Sequence, residues 1–62
     1  MKITFYKHAL NSDYQAYNSP IISYSFPAKI TEENAIANAI KQFQNEFKCA
    51  NWRDIADFYS RE

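Results

Sequence analysis

The sequence predicts one α+β domain over residues 1–62: an antiparallel β-hairpin or three-stranded meander, packed on one long helix, with a short C-terminal element. Three observations carry that prediction. Two stretches within residues 1–26 alternate apolar and polar side chains with period two, and the segment after Ile30 repeats its apolar residues at helical spacing. Prolines and asparagines punctuate the boundaries of a chain that contains no glycine at all.

The first stretch is "MKITFYKHAL". Ile3, Phe5 and Ala9 point one way and Thr4, Tyr6 and His8 the other, the pattern of a strand with one buried face. In the second, "IISYSF", Ile22, Tyr24 and Phe26 oppose Ser23 and Ser25. Pro20 opens that run and Pro27 closes it, and strand ends are where proline is tolerated. The two runs are expected to pair antiparallel. Between them "NSDYQAYNSP" is built as a loop, yet it carries Tyr14 and Tyr17; "DYQAY" also reads as a short strand of its own, which would make the meander.

In "ITEENAIANAIKQFQNEFK", Ile36, Ala39, Ile40, Phe43 and Phe47 form one stripe, and Asn34, Asn38, Lys41, Gln44, Asn45 and Lys48 form the opposite face. Thr31 is placed to cap the helix, with Glu32 and Glu33 in the first turn, where the helix dipole favours anions. Lacking a glycine, the end is expected to break at Ala50 or Asn51. The tail "NWRDIADFYSRE" separates Trp52, Ile55, Ala56, Phe58 and Tyr59 from Arg53, Asp54, Asp57, Ser60 and Arg61 when projected as a helix. That separation favours a short C-terminal helix; the alternative is a strand returning to the sheet, in ββαβ order.

Size and composition exclude several classes. A chain of 62 residues buries only about 60% of its unfolded surface. Its single cysteine, Cys49, allows no internal disulfide, and one histidine with one cysteine cannot build a structural zinc site. Aromatic residues make up 18% of the chain, five Phe, five Tyr and Trp52, and each enclosed ring buries roughly 150–250 Å². Without glycine, no phosphate-cradling loop can form. Lys plus Arg and Asp plus Glu balance at seven each, which tilts partners towards protein surfaces rather than nucleic acid. No apolar run is long enough to span a bilayer and no signal peptide is evident, so a cytoplasmic protein with a reduced thiol is expected.

Nothing in the chain groups into a catalytic constellation. Cys49 falls at the helix end where the dipole is negative, the wrong pole for activating a thiol. Asp54 and Asp57, a helical turn apart, read as surface ion-pair partners of Arg53 and Arg61. No metal or other cofactor is expected, and the chain reads as a non-enzyme.

The tyrosines divide. Tyr24 and Tyr59 fall with the inward sets. Tyr6, Tyr14 and Tyr17 do not, and with His8 they form the candidate partner-binding surface, since tyrosine offers large contact area with a polar tip at low entropic cost. The alternative partner is a single-stranded nucleic acid stacked on sheet tyrosines, although Lys2, Lys7 and Lys29 are the only basic residues of the first half. Exposed strand edges also allow a homodimer.

In layout, a short hairpin followed by "PAKITEENAIANAIKQFQNEF" and "NWRDIADFYSRE" resembles the small accessory proteins of bacteriophages and mobile elements, the anti-CRISPR and other anti-defence inhibitors among them. The resemblance implies a lone α+β domain that binds and blocks a host protein complex without catalysis.

Overall fold

Three strands, one helix and a single 3-10 turn account for the computed structural model, which describes residues 1–62. Strand β1 spans Lys2–Leu10, β2 Ala16–Ser25, helix α1 Glu32–Glu46, the 3-10 turn Trp52–Asp54 and β3 Phe58–Arg61. The sheet is antiparallel in the order β2-β1-β3, so the first strand is central. The α+β class is as the sequence predicts. The third strand is the C-terminal one, so the order is ββαβ and not a meander; "DYQAY" turns and then enters β2.

The expected C-terminal helix contracts to one turn. Asn51 starts it by accepting the Arg53 N–H on its side chain, and Trp52 is buried with its N–H held by Gln44 Oε1 at 3.0 Å. After Ile55 the chain extends. β3 then gains a full set of backbone bonds along β1 that an isolated helix of this length would lack. The consequence is a split between Phe58 and Tyr59, which a helix would have kept on one side. Tyr59 pairs with Phe5 and faces the core; Phe58 pairs with Tyr6 and faces away.

Proline sits inside β2 rather than at its start. The register shifts between Phe5, paired with Ile22, and Tyr6, paired with Pro20, so Ile21 is the extra residue of a bulge. Backbone pairing explains why Pro20 is tolerated. Met1 and Phe26 exchange both backbone bonds, at 2.8 and 3.0 Å, while Lys2 and Glu62 exchange theirs at 2.9 and 2.8 Å. Odd residues of β1 therefore bond towards β2 and even ones towards β3. Pro20, opposite Tyr6, faces its missing donor outward, where no bond is required.

Helix α1 begins at Thr31, whose hydroxyl accepts the Asn34 N–H at 3.2 Å. It ends earlier than expected. Phe47 is the C-cap, Lys48 adopts φ 51°, and the Cys49 N–H donates to Gln44 O at 3.0 Å. That is the left-handed closure a glycine usually provides, here made by a lysine. The helix crosses the strands instead of running along them. Ile3 is flanked in the sheet by Tyr24 and Arg61; Tyr24 reaches Glu46 at one helix end and Arg61 reaches Glu32 at the other.

The core under this crossing consists of Ile3, Phe5, Ala35, Ala39, Phe43, Trp52 and Ala56. Alanines on the helix allow close approach, and aromatic rings fill the space. Phe5 is the hub, with ring centroids of Phe43 at 4.4 Å, Trp52 at 5.5 Å, Tyr59 at 6.0 Å and Tyr24 at 6.2 Å. Of the expected helix stripe, Ala39 and Phe43 are buried, Ile36 and Ile40 half-buried, and Phe47 exposed. Tyr24 and Tyr59 are half-buried against the core, on the expected face.

Candidate functional site

β3 pairs with β1 only from Ile3 to Tyr6. Beyond that point Lys7–Leu10 and Ala16–Ser19 continue as a two-stranded arm with neither a third strand nor the helix behind it. The molecule is accordingly long and thin, 42 × 25 × 14 Å.

The tip is tied by one residue. Asn11 Oδ1 accepts the N–H groups of Asp13 and Gln15, both at 2.9 Å, its amide nitrogen reaches Gln15 Oε1, and its carbonyl accepts the Tyr14 N–H at 3.0 Å. Such a side-chain-closed turn is what asparagine provides. The left-handed position of the turn falls on Tyr14, at φ 60°. For a residue with a Cβ that conformation costs about 1–2 kcal/mol, and asparagine or aspartate would bear it more easily. Tyr14 is 86% exposed, so burial offsets little of that cost.

Arm residues fall on two faces. Along β1, Ala9 lies on the face of Ile3 and Phe5, and its partner Tyr17 lies there too. Leu10, paired with Ala16, lies on the other face with His8, paired with Asn18. Leu10 is 62% and Tyr17 49% exposed. The tip therefore presents apolar surface in three directions: Leu10 on one side, Tyr17 on the other, Tyr14 at the end.

The arm's root is a polar–aromatic cluster on the sheet face away from the helix. Phe58 stacks on Tyr6, centroids 5.0 Å apart and planes 11° from parallel, and the His8 ring leans on Phe58 at 5.4 Å. His8 Nδ1 lies 3.2 Å from Asn18 Oδ1. Asp57 closes the edge: its carboxylate accepts the His8 backbone N–H at 2.7 Å and its own N–H donates to Tyr6 O at 2.8 Å. Across the adjacent rung, Thr4 and Ser23 share a hydroxyl hydrogen bond of 2.8 Å, and Ser60 has a buried Oγ without a hydrogen-bond partner.

The four expected partner-binding residues thus occupy two places. Tyr6 and His8 belong to the root, with Tyr6 half-buried; Tyr14 and Tyr17 belong to the arm. Sequence reasoning missed Phe58 and Leu10 as surface groups. Phe58 was hidden by the helical projection, which set it beside Tyr59; a strand sends such neighbours to opposite faces.

The expected ion pairs of Asp54 and Asp57 with Arg53 and Arg61 do not form. Asp57 is occupied by His8, Arg61 binds Glu32 at 2.7 Å, and the Arg53 guanidinium sits 5.2 Å from the Trp52 ring centre. Cys49 is half-buried next to the core. No three His, Cys, Asp or Glu side chains group as metal ligands, the surface has no pocket, and no helix is long and apolar enough to cross a membrane. Comparison with protein-family models, with curated proteins and with solved structures finds nothing that matches this chain.

Proposed function

We propose that the chain is a small non-enzymatic interaction protein that inserts its hairpin arm into a cleft on a protein partner. One observation carries the reading. Of the four large apolar side chains most exposed on the molecule, Leu10, Tyr14, Tyr17 and Phe47, three lie at the end of the arm. Because they face three directions, a partner that touches all three closes around the tip. A flat epitope would reach only one side. Rigid aromatic groups held by a closed turn lose little freedom on binding, which is how few contacts yield useful affinity.

The proposal extends to the class of partner: a host protein complex in the cytoplasm, blocked in the manner of phage anti-defence inhibitors, as the layout resemblance implies. Base stacking is the weaker reading. Tyr6 and Phe58 lie face against face, so each ring already spends one face on its neighbour, whereas sheets that bind unpaired bases offer rings flat to the ligand.

The test is quantitative capture of partners from bacterial lysate by the wild-type chain and by Leu10→Ser, Tyr14→Ala and Tyr17→Ser. The expected result is one protein complex retained by the wild type and lost with each arm variant. Retention by all three variants, or recovery of nucleic acid alone, would overturn the reading.

A further inference from the structure

We propose that the outer edge of β2 pairs with the same edge of a second copy, through Ser23–Ser25 with the axis at Tyr24, to give a two-fold dimer with a continuous six-stranded sheet. This inference is independent of what the arm binds.

The argument starts from the backbone. Ile22 and Tyr24 bond inward to β1, so the N–H and C=O groups of Ser23 and Ser25 face outward without a partner. Edge strands are commonly guarded by charged side chains, especially lysine. β1 carries Lys2 and Lys7 and β3 carries Arg61, but the ten residues of β2, "AYNSPIISYS", carry no charge. In two-fold pairing a strand meets its own sequence, so a charge near the axis would face its like. β2 is the strand that escapes this repulsion.

Pro20 limits where the pairing runs. It has no outward donor and sits at the Ile21 bulge, so a second strand cannot follow the edge past it. The uninterrupted stretch lies between Pro20 and Pro27.

Side chains at this end of the molecule fit the same occupant. The last turn of α1 stands at this edge, held there by the Tyr24–Glu46 hydrogen bond, and next to it is Phe47, the one large exposed apolar side chain outside the arm. Glu46 and Lys48, of opposite sign, flank Phe47. A two-fold axis at the edge brings the two helix ends together, where residues of opposite sign flank each Phe47. An axis perpendicular to the sheet keeps both helices on one face. It also sends the arms in opposite directions: ten residues separate Tyr14 from Tyr24, which at about 3.3 Å per residue puts the two tips about 65 Å apart.

Sedimentation velocity and light scattering from about 10 μM to about 1 mM test this, on the wild type and on Ser25→Lys, Ser25→Pro and Tyr17→Ser. Ser25→Pro removes an outward donor and leaves the bonds to β1 intact. The expected result is a concentration-dependent dimer, weakened more than about tenfold by either Ser25 substitution and unchanged by Tyr17→Ser. Amide exchange at Ser23 and Ser25 should slow as concentration rises. A monomer throughout the range, or a dimer that survives both Ser25 variants, or one dissolved by Tyr17→Ser, would overturn the proposal.

Discussion

The Tyr24 hydroxyl donates a 2.8 Å hydrogen bond to the Glu46 carboxylate, tying the edge strand to the last turn of the helix that crosses it. Partial burial, then the bond to Glu46 and its negative charge, push the Tyr24 phenol up to about 12. The unfolded chain ionises near the usual value of about 10, so folding favours the neutral phenol. The resulting stability is complete below pH 10 and is lost as pH rises from there through 12. We predict a steep alkaline loss of thermal stability in the wild type that is shallower in Tyr24→Phe. In Glu46→Gln, the late step of the phenolate absorbance titration should move towards pH 10.

Tyr14 at φ 60° predicts a trade between stability and binding. Replacing it with glycine removes the left-handed penalty and should stabilise the fold by about 1 kcal/mol in denaturant melts. The same substitution removes the anchor ring and should abolish partner capture. Lys48→Gly is the comparison, since Lys48 shares the left-handed conformation at the helix end. It should stabilise similarly and leave capture unchanged.

Asp57 is predicted to hold the root of the arm closed. Asp57→Ala frees the His8 N–H that the carboxylate accepts at 2.7 Å. The expected cost is about 1 kcal/mol, with faster amide exchange at His8 and unchanged exchange at Ile3. Equal acceleration at both positions would mean that the contact supports the whole domain.

Phe5 predicts the limit of what the fold tolerates. It is fully buried and touches four other rings. Truncating such a residue costs about 3–5 kcal/mol, comparable with the entire stability of a domain this small. Phe5→Ala should therefore be unfolded by circular dichroism at 25 °C, and Phe5→Leu folded with a lowered midpoint. Phe58→Ala, on the open face, should stay folded.

Elements whose periodicity agrees with their environment were legible in the sequence. β1, α1 with its Thr31 cap, and the inward face of Tyr24 follow from spacing and capping chemistry alone. The tail was not legible because "NWRDIADFYSRE" satisfies both periods, and the decision rests on backbone bonds that β1 offers at a distance in sequence. The helix end was missed because Lys48 adopts a conformation usually marked by glycine. For the site, spacing showed that tyrosines were in excess of what the core uses, but not how they divide. Tyr6 and His8 part from Tyr14 and Tyr17 because β3 stops opposite Tyr6, where Phe58 and Asp57 pack on the root and leave the arm beyond it uncovered, a long-range pairing that no local pattern encodes.

Ile21 decides which way the arm looks. Strict alternation from Ile22 and Tyr24 would set Tyr17 beside Ser23, on the side opposite the helix; the extra residue inverts the count and delivers Tyr17 opposite Ala9 instead. Were that kink ironed flat, every rung from Tyr6 outward would slip by one, Asn18 would leave His8, and Tyr17 would come round to join Leu10. A single extra residue in the middle of an edge strand thus acts as the phase key of the molecule, separating an arm that shows apolar surface on both sides from one that shows it on a single side.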